Sequence, residues 1–277
     1  MQPKIAIATC FYGKLPWYFS YFLHSCRYNP TVDFFVIGDM EYKSINFPKN
    51  VHFINIDIKN LIKIASKKLG FQVSIPYSYK LCDFKPTYGF IFEDLFKGYD
   101  FWGHGDIDLV YGNIRNFMTE ELLSSFDVVS VRHDYITGTF ALYRNNKLFN
   151  SLFMESMDYK KVLSNPTHYC FDECNFLWEQ LESGHSIYNL PYEIESMTHV
   201  VKKLSDRKKI RAHFDFLIVE GTPGGIKWEN GKVIYRDKYE AMLYHLIRFK
   251  SECKRKIPLV TSPSTIYFNK DAIQLKD

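Results

Sequence analysis

Residues 4–39 read KIAIATCFYGKLPWYFSYFLHSCRYNPTVDFFVIGD, and this stretch decides the fold. Residues 4–9 are a short β-branched run, predicted as a strand. A loop follows over 10–14, and Pro16 suits the first turn of a helix. Aromatics recur at helical spacing over 17–26. Asn29-Pro30 closes that helix, and 32–37 (VDFFVI) is a second strand, stopping at Gly38-Asp39. Strand, helix and strand in so short a run make a βαβ unit, with parallel strands and a right-handed crossover. In such sheets ligands bind beyond the carboxyl ends of the strands. Thr9, Tyr12 and Asp39 stand at or near those ends, and they are also what ordinary loops contain. The glycines do not spell G-x-G-x-x-G, so a dinucleotide cofactor is not indicated.

Working outward, 51–56 (VHFINI) is a third strand, and 61–69 is a helix with lysines on its outer face. Residues 90–96 form a helix leading into 98–115, GYDFWGHGDIDLVYGNIR. The apolar run 99–102 suits a buried strand. Gly103 and Gly105 leave room for a ligand or another backbone to come close. Asp106 and Asp108 follow, and residues two apart in an extended segment point the same way. Two convergent carboxylates suit a hard cation such as Mn²⁺ or Mg²⁺. An isolated D-x-D is also what two solvated loop carboxylates look like.

Further on, 119–126 reads as a helix, 127–132 and 137–143 as strands, and 145–157 as a helix. Gly138 falls where a side chain would obstruct a ligand. Asp172-Glu173 stand at the expected start of a helix whose inner face is Phe176, Leu177 and Leu181. This acidic pair is a candidate base, and it is also what N-terminal capping predicts. Residues 217–220, 227–228 and 232–235 are short strands punctuated by Pro223-Gly224-Gly225 and Asn230-Gly231. Residues 240–248 read as a helix carrying His245, followed by Lys250 and the basic run 254–256.

Composition bounds the class. The chain has 277 residues, 46% hydrophobic and 17% aromatic, enough for a sizeable core in one α/β domain. Net charge is +4, too small to argue for nucleic acid. Six scattered cysteines are expected as reduced, mostly buried thiols of a reducing compartment. No signal peptide is expected, and no apolar run is long enough to span a bilayer. The expected location is cytoplasmic, with a peripheral membrane contact through the basic C-terminal run as an option.

Several segments together resemble a family of bacterial glycosyltransferase-like proteins. They are FYGKLP (11–16), SCRYNP (25–30), YKLCDFKP (79–86), residues 99–115, 138–145 and 245–250, in order over nearly the whole chain. His104-Gly105 depart from that family's aromatic-cysteine pair. The resemblance implies a GT-A fold, a Rossmann-like, mostly parallel sheet flanked by helices. It implies one catalytic domain over 1–277, with a donor half to about 115 and an acceptor half beyond. It further implies sugar transfer from a nucleotide-sugar donor, UDP preferred, to a glycan acceptor in surface polysaccharide or glycan synthesis. Asp106 and Asp108 would hold Mn²⁺ or Mg²⁺ against the donor diphosphate. His245 resembles the C-terminal histidine that completes such metal sites, although a histidine on an apolar face is more often packed. Lys80 and Lys85 would contact the diphosphate or sugar, with Asp83 orienting one of them, or the three would form a surface salt-bridge cluster; Lys250 would lie near the diphosphate. Asp172 or Glu173 would be the base of an inverting transfer.

Two other functions compete. A metal-dependent phosphohydrolase also uses paired aspartates but normally wants more carboxylates or histidines around its metal. A catalytically inactive nucleotide-sugar or glycan-binding module would bind donor without turnover.

Overall fold

The βαβ unit forms where the pattern places it, in a computed structural model that describes residues 2–41 and 45–276. Strand β1 (Ile5–Cys10) leads through helix α1 (Phe19–Arg27) to β2 (Val32–Gly38), and β3 (Val51–Asn55) follows. Helix α2 (Ile58–Leu69) begins three residues before the predicted start, because Asp57 caps it by accepting a hydrogen bond from the Asn60 N–H. It ends at Gly70, left-handed with φ 78°, whose N–H returns to the Ser66 carbonyl.

The remaining strands are β4 (Phe101–Gly105), β5 (Leu109–Tyr111), β6 (Val128–Ser130), β7 (Phe140–Arg144), β8 (Ala212–Phe214), β9 (Ile218–Glu220), β10 (Ile226–Glu229), β11 (Lys232–Tyr235), β12 (Tyr239–Ala241), β13 (Leu243–His245), β14 (Thr265–Phe268) and β15 (Ile273–Lys276). The central sheet has the order β3-β2-β1-β4-β7-β6-β8. Its first four strands are parallel, β7 runs antiparallel between β4 and β6, and β8 is parallel to β6. The fold is thus α/β with a mostly parallel central sheet. β1 pairs with β2 on one side and β4 on the other, so the strand order reverses there, and a crevice opens at the carboxyl ends of β1 and β4.

Both faces of this sheet are buried. Ala6, Ala8, Phe35, Ile37 and Trp102 pack on one side; Ile5, Ile7, Phe34, Val36 and Phe101 pack on the other. This alternation is what a sheet covered on both faces requires. A second sheet, β12-β11-β10-β14-β15, packs Trp228 and Phe268 against Tyr21 of α1. A third, β5-β13-β9, joins the D-x-D segment to the C-terminal region.

Three predicted elements change. Residues 240–248 are not a helix: β12 and β13 occupy them, because β13 is paired on both sides, antiparallel to β5 and parallel to β9. The predicted 145–157 helix breaks into Lys147–Asn150 and a 3₁₀ turn, Leu152–Glu155. The 90–96 helix is a short one, Tyr88–Ile91, followed by turns. Gly103 and Gly105 admit protein rather than ligand: a Cβ at Gly103 would meet the Ala141 carbonyl at 2.6 Å, and one at Gly105 would meet the Tyr111 hydroxyl at 2.4 Å. All six cysteines are free thiols, four of them buried. Among the described residues no helix is long and apolar enough to cross a membrane.

Two buried histidines make stability pH-dependent. Burial pulls His24 down to about 4, against a hydrogen bond to the Pro263 carbonyl, and burial likewise pulls His199 to about 4. An unfolded histidine titrates near 6.5, so below that the unfolded chain binds more protons than the folded one. The stability from both groups is therefore full above about pH 6.5 and is lost as pH falls toward 4, each contributing up to about 1.4 kcal/mol per pH unit. Urea unfolding at pH 7, 6 and 5 should show this decline, and His24→Gln should flatten it.

Candidate functional site

A cavity of about 1000 Å³ opens at the reversal point between β1 and β4. Cys10, Phe11 and Tyr12 from the end of β1 line it, with Asp106 and Asp108 just beyond β4. Asp106 is carried forward from the sheet by its N–H, which donates to the Thr139 carbonyl at 3.1 Å.

The third sheet brings His245 to this point. In register, His245 sits beside Leu109 on one side and Glu220 on the other. One ligand atom each from Asp106, Asp108 and His245 lies within 4.8 Å of the others. Two carboxylates and an imidazole grouped this closely suit Mn²⁺. These residues therefore fit a divalent cation.

Each carboxylate is also held by an ammonium group. Lys85 Nζ lies 2.6 Å from Asp106 Oδ1, and it donates to the Gly138 carbonyl at 2.8 Å. Lys250 Nζ lies 2.7 Å from Asp108 Oδ2, and His245 Nε2 lies 3.4 Å from the same oxygen. Burial opposes the charge on Asp108, but His245 and Lys250 outweigh it and hold the carboxyl well below the usual range. Asp106, 29% exposed at its side chain, is pushed up by burial despite Lys85. Burial also opposes charge on His245, yet its bonds to Asp108 and Glu220 raise it to about 10.

Glu220 was not legible in the sequence as part of this site. Its Oε1 lies 3.0 Å from His245 Nδ1, and its Oε2 accepts from Arg132 Nη1 at 3.0 Å. Arg132 is fixed in turn by Asp134, at 2.9 and 2.6 Å. A carboxylate on one ring nitrogen orients an imidazole and leaves the other nitrogen for a metal. Only the pairing of β9 with β13 reveals this, and a single sequence does not state strand partners.

The acidic pair is not at a helix start. Asp172 and Glu173 lie in a run of turns, and the helix begins at Trp178. Glu173 is committed: its carboxylate accepts from the Gly138 N–H at 2.8 Å and from Trp178 Nε1 at 2.6 Å. Asp172 is buried in the cavity wall, 3.6 Å from Lys85 Nζ, and burial holds its carboxyl well above the usual range. A Cβ at Gly138 would meet Asp172 Oδ2 at 2.1 Å, so that glycine makes way for Asp172 and not for a ligand. Phe176, expected on an inner face, is 46% exposed.

Lys80 and Asp83 do not face the cavity. Lys80 is fully buried, donating to Asp83 Oδ2 at 2.8 Å and to the carbonyls of Val162 and Thr167 at 2.7 and 2.6 Å. Asp83 also accepts from the N–H groups of Tyr169 and Phe171, at 2.9 and 2.8 Å. The pair fastens the segment that leads to Asp172. Thr9 is buried, donating to the Gly105 carbonyl at 2.7 Å, and ties β1 to the end of β4. Asp39 is exposed and outside the cavity lining. His104 is fully buried beside Lys85 and is held neutral by burial.

The fold and site together define an α/β protein with an Asp-Asp-His cluster at the reversal point of its sheet. The chain belongs to a family of unknown function (DUF6625), whose model matches residues 7–273. No curated protein matches its sequence. Among solved structures it is similar to mouse xyloside xylosyltransferase 1, at 10% identity and TM-score 0.44, covering 87% of this chain and 97% of that one. It is also similar to the galactosyltransferase LgtC, solved with donor and acceptor sugar analogues, at 10% identity and TM-score 0.37, covering 87% and 86%. The glycosyltransferase GlyE of Streptococcus pneumoniae is similar at 14% identity and TM-score 0.34, covering 76% of this chain and 45% of that one. At these identities and scores the likeness assigns no activity.

Proposed function

We propose that the protein is a metal-dependent glycosyltransferase of the GT-A type, moving a sugar from a nucleotide-sugar donor, UDP preferred, to a glycan acceptor. The observation that carries this reading is the Asp106-Asp108-His245 cluster at the mouth of β4, inside a cavity large enough for donor and acceptor. These three residues would hold Mn²⁺ or Mg²⁺, which when bound stabilises negative charge on the leaving nucleoside diphosphate. Lys250, at the cavity wall beside Asp108, is placed to reach the donor phosphates. Lys85 positions Asp106 and Asp172 together. Asp172 is the carboxylate assigned to take the acceptor hydroxyl proton in an inverting transfer, while Glu173 fixes Gly138 and Trp178 around it. The reading takes 1–277 as one catalytic domain in surface polysaccharide or glycan synthesis. It places the enzyme in the cytoplasm, with the basic run 254–256 as a peripheral membrane contact.

The test is incubation with UDP-, GDP- and CMP-sugars with and without Mn²⁺. Mn²⁺-dependent release of nucleoside diphosphate from a UDP-sugar is expected. Phosphate release from simple phosphomonoesters would instead favour a phosphohydrolase, and binding without turnover an inactive module. Where transfer to an acceptor is seen, NMR should show a product anomer opposite to that of the donor; retention would remove Asp172 from its role.

Metal binding should also release a proton. At neutral pH the metal-free His245, raised to about 10, carries its proton, and ligation needs the neutral ring. Mn²⁺ affinity should therefore rise as pH rises toward 10. Calorimetry in buffers of different ionisation enthalpy should report about one proton released per Mn²⁺ at pH 7.5. No release would mean that His245 is not a ligand.

A further inference from the structure

We propose that the part of the cavity across Lys85 from the metal cluster is the acceptor subsite, lined by Tyr79, His168 and Trp178, with Phe176 packed beside them, to stack the face of a pyranose. The proposal rests on the glycosyltransferase reading above and deepens it.

Tyr79, His168 and Trp178 line the cavity together with Asp172, which lies across Lys85 Nζ from Asp106. From Tyr79 a chain of rings continues edge to face. Tyr79 meets His168 at 4.8 Å, His168 meets Phe176 at 5.5 Å, and Phe176 meets Trp178 at 5.5 Å.

Core packing does not account for Tyr79 and Phe176, which are 65% and 46% exposed. His168 is held 3.2 Å from Asp83, and Trp178 packs on the small cluster of Leu181 and Ile187. The backbone that carries Phe176 is nevertheless strained, with Cys170, Asn175 and Phe176 at φ 52°, 54° and 64°. A left-handed non-glycine residue is uncommon, and such residues cluster at ligand-binding segments.

The surrounding groups select a sugar. A pyranose offers a C–H face for stacking and a rim of hydroxyls for hydrogen bonding. Trp178 Nε1 is taken by Glu173, so Trp178 contributes its ring alone. Asp172 and Glu182 line the same cavity and can accept from hydroxyls. A nucleobase would also stack, but it brings phosphates toward carboxylates, while Lys85 and Lys250 are turned to Asp106 and Asp108.

The experiment is saturation-transfer-difference NMR with UDP and Mn²⁺ present. The probes are methyl α- and β-pyranosides of glucose, galactose, mannose, xylose, rhamnose and N-acetylglucosamine. At least one should bind the wild type, weaken at least about tenfold in Tyr79→Ala, and be retained in Tyr79→Phe. Tyr79 is exposed enough that its removal spares the core. Glycoside binding unchanged in Tyr79→Ala, or loss of UDP with glycoside binding intact, would overturn the subsite. So would a wild type that binds UDP–Mn²⁺ and no glycoside. Tyr79-dependent glycoside binding without any UDP binding would leave the subsite standing and remove the donor reading.

Discussion

Asp108→Asn is expected to abolish Mn²⁺-dependent turnover of the nucleotide sugar, by about 100-fold or more. Loss of a group that merely orients a metal ligand typically costs about 10–100-fold, and Asp108 is assigned as a ligand itself. Its carboxylate faces two cationic groups, Lys250 at 2.7 Å and His245 at 3.4 Å. With an amide there, both face a site whose one remaining carboxylate, Asp106, is already paired with Lys85. A dication gains little from such a site. The amide oxygen can still accept from Lys250, so the circular dichroism spectrum should be unchanged. The measurement is nucleoside diphosphate release at saturating Mn²⁺, with Asp94→Asn, an exposed carboxylate paired with Lys97 and outside the cavity lining, as the control. Activity within a factor of a few of wild type would remove Asp108 from the metal site.

The second large effect falls on stability. Lys80→Met should destabilise the fold by about 3–5 kcal/mol, the usual cost of leaving one partner of a buried ion pair uncompensated. Lys80 and Asp83 are both fully inaccessible to solvent. Removing the ammonium also orphans the carbonyls of Val162 and Thr167. Because Asp83 anchors the N–H groups of Tyr169 and Phe171, loosening it should carry over to Asp172 next along the chain. Urea unfolding checks the size of the effect. A change below about 1 kcal/mol would show that the network is weaker than its geometry implies.

The sequence and the structure agree best where the signal is local. The βαβ unit was legible from 4–37 because its apolar runs, its proline and its Asn29-Pro30 stop all act within a few residues. Asp106 and Asp108 were legible as carboxylates at a strand end, although residues 107–108 form a turn and not the extended segment expected. His245 was placed near them only through the family resemblance, and on the wrong element. Met242, Leu243, Leu246 and Ile247 have the spacing of a helix face, but a short apolar run does not distinguish a helix from a strand buried between neighbours. The resemblance put Lys80, Asp83 and Lys85 at the donor or in a salt-bridge cluster. The structure closes Lys80 on Asp83 and leaves only Lys85 facing the cavity. Glu220 and Arg132 were silent because their role depends on which strands pair, 25 residues apart for Glu220 and His245.

The most direct test of the central claim is calorimetric titration of Mn²⁺ into the protein with UDP present, repeated for the Asp106→Asn/Asp108→Asn double variant. The account predicts one Mn²⁺ per chain for the wild type, no measurable Mn²⁺ binding for the double variant, and UDP affinity in the wild type that falls sharply without the cation. Equal Mn²⁺ and UDP binding by wild type and double variant would contradict it.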